Sequence, residues 1–150
     1  FCTLGQIIFM YQLTYCSNAS NDVNEEVVEE ILETARKRNE TLGVTGCLVF
    51  HKHAFVQIIE GEKEQIQLLY QQIKQDARHR EVVLLWEGIN DSRNFNDWNM
   101  AFYSAVDSPG ENGELRNFER NLLLLAELTD SATSSLNMFW ISVRKLLTEE

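Results

Sequence analysis

The chain has 150 residues, 44% of them hydrophobic and 24% charged, enough to bury the core of one domain and unlike the composition of a disordered segment. A formal net charge of −10 excludes a nucleic-acid backbone as the main partner, because most of the surface would repel phosphate. Three cysteines, Cys2, Cys16 and Cys47, show no C-x-x-C spacing; they suggest neither a disulfide framework nor a zinc site and fit a reducing, cytoplasmic setting. The opening "FCTLGQIIF" is apolar but lacks a basic start and is too short to span a bilayer. The native start is therefore expected near Met10, with residues 1–9 a leader outside the fold, and no later stretch approaches a membrane span.

"MYQLTYCS", residues 10–17, carries strand-forming residues and ends in the polar run "NASND". In "VNEEVVEEILETARKRN" the apolar Val27, Val28, Ile31, Leu32 and Ala35 repeat at three and four; acids crowd the first turns and Arg36, Lys37 and Arg38 close an amphipathic helix. Gly43 and Gly46 are expected to bracket a turn into "CLVFH", and "KHA" leads back into "AFVQIIEG" as a hairpin. A second helix follows in "EKEQIQLLYQQIKQD", with Ile66, Leu69, Tyr70 and Ile73 on one stripe. "EVVLLWEGI" supplies a fourth strand, and "WNMAFYS" a fifth in which Trp98, Met100 and Phe102 share a face. This order is the α+β, ferredoxin-like βαββαβ arrangement with an added strand and two helices on one face of the sheet. Past Pro109, in the linker-like "DSPGENG", two further helices are expected on the other face, in "ENGELRNFERNLLLLAELT" and "SSLNMFWISVRKLL".

Such sheets host enzymes, ligand sensors and RNA binders alike, so side chains must decide the function. The chain has no phosphate loop, no G-x-S-x-G, no H-E-x-x-H and no G-x-G-x-x-G. His51 and His53 form an H-x-H in a hairpin without a carboxylate or cysteine nearby in sequence, which reads as an exposed turn rather than a metal site. RNA recognition would need an aromatic platform on exposed strands, and it is absent. What stands out is polar residues in apolar surroundings. Gln57 shares a face with Phe55 and Ile59 by period-two alternation, and a buried amide left unpaired costs about 1–3 kcal/mol, so a polar partner is implied there. Tyr15 on the first strand and Asn39 just past the first helix are the others. Taken singly, each has an ordinary reading: a packed tyrosine with its hydroxyl at the rim, a helix C-cap, a glutamine bonded to neighbouring backbone.

Taken together they resemble the BLUF family, blue-light sensors that use FAD. The resemblance runs from about Met10 to Tyr103 and rests on "TYCS" with Tyr15, "ARKRNETLGVTG" with Asn39 six residues before Thr45, "AFVQIIEG" with Gln57, "IKQDARH", and "RNFNDWNM" with Trp98 and Met100. It implies a flavin ring between the two helices with the Gln57 amide buried against it. Ile31 and Ile73 correspond to the ring-packing positions, Phe55 and Met100 join the lining, and Asn39 meets the carbonyl and imide edge. Arg38, Asp76, Arg78 and His79 would hold the polar end and the phosphates. The implied photochemistry begins with an electron and a proton leaving Tyr15 through Gln57 and ends with the Gln57 amide rearranged, which biases the fifth strand where Trp98 and Met100 lie.

The expectation is therefore a noncovalent FAD photoreceptor, with FMN or riboflavin as substitutes in recombinant material, and no catalysis of its own. Residues 10–104 form the flavin domain and residues 105–150 a helical extension, with no cyclase or phosphodiesterase sequence following. Output is expected through a homo-oligomer, using Met138, Phe139, Trp140 and Val143 of the tail, or through an unidentified downstream protein. The other reading of the tail is that both helices cap the sheet. Rival functions are a small-metabolite-binding regulatory module, and an acylphosphatase-like hydrolase, for which the loop "CSNASND" lacks the needed arginine.

Overall fold

A computed structural model describes residues 10–90, 92–95, 101–104 and 134–148. The strands are β1 (Met10–Ala19), β2 (Thr45–His51), β3 (Ala54–Gly61), β4 (His79–Asn90) and β5 (Ala101–Ser104). The helices are α1 (Glu25–Leu42), α2 (Lys63–Gln75) and α3 (Ser134–Thr148). The strands form one sheet in the order β4-β1-β3-β2-β5, antiparallel throughout except for β5, which runs parallel to β2. This is the expected ferredoxin-like sheet with an added edge strand. Residues 96–100, which include Trp98 and Met100, lie outside the described residues, as do the leader, the linker around Pro109 and the helix expected before residue 130.

Local chemistry explains the boundaries. The side chain of Asn24 caps α1 by accepting the Val27 N–H at 3.0 Å. The helix does not stop at Arg38 as its basic run suggested; it continues one turn to Leu42, because Gly43 takes the left-handed conformation (φ 70) and returns its N–H to the Asn39 carbonyl. Asn39 thus sits inside the last turn rather than after it. Gly46 likewise lies within β2 and not in the preceding turn: a Cβ there would collide with the Ile58 carbonyl, so glycine lets β2 and β3 approach. The hairpin between β2 and β3 turns on Lys52 and His53, at φ 50 and φ 63, the positive values that a two-residue hairpin turn requires.

The sheet separates two cores. On one face, Leu13, Tyr15, Phe55 and Ile59 pack beneath Val28 and Leu32 of α1 and Ile66, Leu69, Tyr70 and Ile73 of α2. On the other, Cys47, Val49, Val56 and Ile58 meet Phe139 and Val143 of α3, with Phe95 between. Phe139 and Val143 are fully buried, so they serve to cap the sheet rather than to form an exposed interface, as self-association through them would need. Each such side chain withdrawn from water stabilises by roughly 1.5–3 kcal/mol, enough to hold a single helix on a sheet. Ile141 stays largely exposed on the outer side of α3, and β4, at the sheet edge, leaves Val83, Leu84 and Ile89 exposed despite its apolar sequence. Among the described residues, no helix is long and apolar enough to cross a membrane.

Because Lys52 and His53 carry side chains into the left-handed region, replacing them with Asn-Gly should remove a local strain of about 1 kcal/mol. Thermal denaturation of the double variant is expected to show a higher midpoint with unchanged secondary structure.

Candidate functional site

The register of the sheet sets Tyr15 of β1 directly opposite Gln57 of β3, and both side chains point to the α1/α2 face. Facing residues on adjacent strands have Cβ atoms about 5 Å apart, so a phenol and an amide that share a face must meet. They do: the Tyr15 hydroxyl donates to Gln57 Oε1. Tyr15 is 1% exposed and Gln57 5%, so each supplies the partner that the other's burial demands. A register shift against β4 falls between Thr14 and Tyr15, where β4 skips from Trp86 to Leu84. Irregularities of this kind re-aim side chains, and this one lies at the residue whose aim matters here.

Around this pair the structure gathers most of the other candidates. Asn39 is fully buried in the last turn of α1, and its Oδ1 accepts from Arg38 Nε at 3.4 Å. Arg38 is partly buried, which pulls its pKa down, while Tyr15 and Asp76 oppose that shift and Arg78 adds to it, so the four groups share one electrostatic neighbourhood. Asp76, just after α2, takes the Arg78 guanidinium in a forked pair (Nε 2.9 Å, Nη2 2.6 Å) and also accepts the Arg78 backbone N–H at 2.9 Å. These bonds hold the Asp76 carboxyl below its usual range. His79 opens β4 with Nδ1 at 2.8 Å from Ser17 Oγ and its ring 4.8 Å from Phe55. Ile73 is buried and Ile31 half-buried in the same apolar cluster. Burial pushes the Tyr15 pKa well above that of an ordinary phenol, Arg38 counters it, and Tyr70 and Asp76 add to it. Tyr15 is therefore a neutral hydrogen-bond donor at any physiological pH.

A flat heteroaromatic ring with one polar edge needs aliphatic walls and a few directed donors and acceptors. Two buried amides, a buried phenol and an arginine within an aliphatic cluster are such a set, so the residues fit a flavin. Residues 10–101 match the family described as "BLUF: Sensors of blue-light using FAD", well over half the chain. The chain belongs to the BLUF family. It is 32% identical over 126 residues to the blue light- and temperature-regulated antirepressor BluF of Escherichia coli (strain K12), covering 84% of this chain and 28% of that protein. It is 33% identical over 99 residues to photoactivated adenylate cyclase subunit beta of Euglena longa, covering 65% of this chain and 11% of that one. Against the dark-state structure of BlrB, a BLUF protein, the TM-score is 0.67 at 27% identity, covering 91% of this chain and 99% of that one. The chain thus spans less than a third of the length of the curated relatives named here. As a BLUF protein it is a blue-light photoreceptor, and FAD is the family's cofactor.

Three residues of this BLUF domain carry weight that the sequence did not reveal. Tyr70, visible only as one apolar position on the stripe of α2, lies with its ring 5.8 Å from that of Tyr15. Ser17, two residues beyond Tyr15 on the same face, fixes His79. Glu60 in "QIIEG" is a carboxylate at zero exposure, for which an acid in an apolar strand was the available signal. His51 and His53 stay apart from all this, and among the described residues no cluster of His, Cys, Asp and Glu could hold a metal ion.

Burial pushes the His79 imidazole pKa below its ordinary value, with Asp76 raising it and Arg78 lowering it further. A histidine kept neutral in the fold takes up its proton more readily when unfolded, so stability should fall as pH drops below about 6.5 and continue to fall until the folded pKa is passed. Urea denaturation at pH 7 and pH 5 is expected to show a smaller acid-side loss for His79→Gln than for the unsubstituted chain.

Proposed function

We propose that this chain senses blue light through the Tyr15–Gln57 rung and passes the signal on without catalysis of its own. The observation that supports this most strongly is the buried hydrogen bond from the Tyr15 hydroxyl to Gln57 Oε1. When bound, the flavin supplies absorption of blue light and an acceptor for one electron and one proton. A phenol as deeply buried as Tyr15 cannot lose an electron and keep its acidic proton, nor shed the proton alone, so the two leave together. The proton's exit is the acceptor already in place, the oxygen of Gln57. Recombination returns both to Tyr15.

An amide carries acceptor and donor on one pivot, so Gln57 can present either to Tyr15 without a change in net charge, and a phenolic hydroxyl can donate or accept in reply. That gives two hydrogen-bonded states of similar cost. In the rearranged state Gln57 would have its N–H available to a bound flavin, whose absorption would report the change. Asn39 and Arg38 would hold the flavin's polar edge, Ile31, Ile73 and Phe55 would exclude water, and Asp76, Arg78 and His79 would hold its polar end. Trp98 and Met100 are proposed to receive the change on the way to β5.

Residues 10–104 act as the sensor and residues 105–150 as the output extension, in a cytoplasmic protein. The signal leaves through a second copy of the chain or through a downstream protein, in line with the family's coupling to cyclases and to an antirepressor.

Purified protein should be yellow and release flavin on heating; a colourless product that binds none would return the chain to the class of metabolite-binding regulatory modules. In Gln57→Leu, which roughly keeps volume but removes donor and acceptor, flavin should still bind, stability should drop by about 1–3 kcal/mol as the Tyr15 hydroxyl loses its partner, and the light-induced red shift should vanish. Tyr15→Phe should likewise bind flavin in the dark and show no photocycle; absorption spectra before and after blue light report both.

A further inference from the structure

The side of the sheet facing away from Tyr15 and Gln57 holds a second polar pair on the same two strands. Gln12 of β1 faces Glu60 of β3, three rungs along the ladder that joins Tyr15 to Gln57, and both are at zero exposure. Period-two alternation sends them to the α3 side. The Glu60 carboxylate is filled by donors: Oε2 accepts from Gln12 Nε2 at 2.9 Å and from the Asn94 N–H at 2.8 Å, and Oε1 accepts from Thr45 Oγ1 at 2.8 Å and from the Phe95 N–H at 2.6 Å. Two consecutive backbone amides on one carboxylate fix the path of residues 94–95, which follow β4 and precede β5. Gln12 Nε2 reinforces this at Asn94 Oδ1, 2.5 Å away.

Residue 93 ties the same segment to the other face of the protein. Arg93 Nη2 donates to the carbonyl of Gly43 at 2.7 Å, and Nη1 donates to Thr45 Oγ1 at 2.9 Å. Gly43 is the cap of α1 whose N–H rests on the Asn39 carbonyl. Phe95, whose N–H is part of the clamp, enters the α3 core with its ring 6.3 Å from Phe139, edge to face. Residues 93–95 therefore touch the turn that carries Asn39, the strand that carries Gln57 and the helix that covers the opposite face.

We infer that Glu60 is a positioning residue which, through residues 93–95, couples the Tyr15–Gln57 rung and the Asn39 turn to α3. The inference rests on the photoreceptor reading for its input but not for the clamp itself. A shift of β3 against β1 at the Tyr15–Gln57 rung is shared by Gln12 and Glu60, since both pairs belong to one backbone ladder. Glu60 transmits it because two of its four donors are the consecutive main-chain amides of Asn94 and Phe95, which hold that segment to the strand. α3 receives it because Phe95 is buried against Phe139 and cannot move independently of it.

The test is hydrogen exchange on the flavin-loaded chain in darkness and under blue light, with absorption followed in parallel. In Glu60→Gln one acceptor oxygen becomes an NH2 group, so in darkness whichever of the Asn94 and Phe95 amides loses its acceptor should exchange about tenfold faster or more, whatever the flavin does. Illumination of the unsubstituted chain should change exchange in residues 134–148. Glu60→Gln should keep the flavin and its red shift yet reduce that α3 response severalfold. If Glu60→Gln does not fold, Phe95→Leu, which keeps the N–H on Glu60 but removes the ring contact with Phe139, should also keep the red shift and weaken the response. An unchanged α3 response in the variant that folds, an α3 that ignores light in the unsubstituted chain, or wild-type exchange at residues 94–95 in Glu60→Gln would each overturn the inference. Loss of the red shift in the unsubstituted chain would instead count against Tyr15 and Gln57, so the two readings fail separately.

Discussion

The hydrogen bond between two buried polar side chains, Tyr15 and Gln57, is the constraint on which the rest depends. Each is stripped of water by burial in an aliphatic layer, and leaving either unpaired would cost about 1–3 kcal/mol. Their bond therefore fixes the pairing of β1 with β3. A one-residue slip of either strand would send its member of the pair to the opposite face and break the bond along with the core. The interior of the sheet is thereby committed to a single register. The same confinement that makes the pair costly to disrupt also keeps it dry, so that an exchange of donor and acceptor within it has consequences for a ligand at its edge.

The polar residues that flank this rung solve a second problem. The chain carries a formal charge of −10, yet the end of the site where β4 begins brings the guanidinium groups of Arg38 and Arg78 together around Asp76, with the His79 imidazole beside them. Local positive potential survives in an acidic protein because the basic groups are partly buried and close, whereas most of the acids, such as those on the outer turns of α1, are exposed and screened by solvent. Asp76 does not cancel this cluster so much as align it, by holding the Arg78 guanidinium in a fork.

A sheet with a core on each side is also a natural place for two faces to influence one another. Neighbouring positions on β3 serve opposite layers: Gln57 looks toward α1 and α2, while Ile58 and Glu60 look toward α3. A packed interior responds to local change by discrete repacking more than by gradual yielding, because there is little free volume to absorb it. The segment around Phe95 is where the two layers come closest to sharing residues.

Much of this was legible in the sequence, because it follows from period and composition. The alternation in "AFVQIIEG" put Gln57 on a buried face and demanded a partner; the three-and-four spacing in α1 and α2 gave the helices and their inner stripes; the element order gave the sheet. Those signals are local, and so survive in one dimension. Tertiary structure alone could decide that the partner of Gln57 is the tyrosine forty-two residues earlier, since that depends on strand register. It alone could carry α1 past its basic run to Gly43, because a left-handed cap outweighs the favourable placing of charges at a helix end. It also had to decide that Phe139 and Val143 face the sheet, since a helix displays the same apolar stripe whether a core or a partner lies against it. The role of Glu60 was hidden for the same physical reason: its donors come from β1, β2 and the segment after β4, and no pattern within the chain announces that such distant segments will converge on one carboxylate.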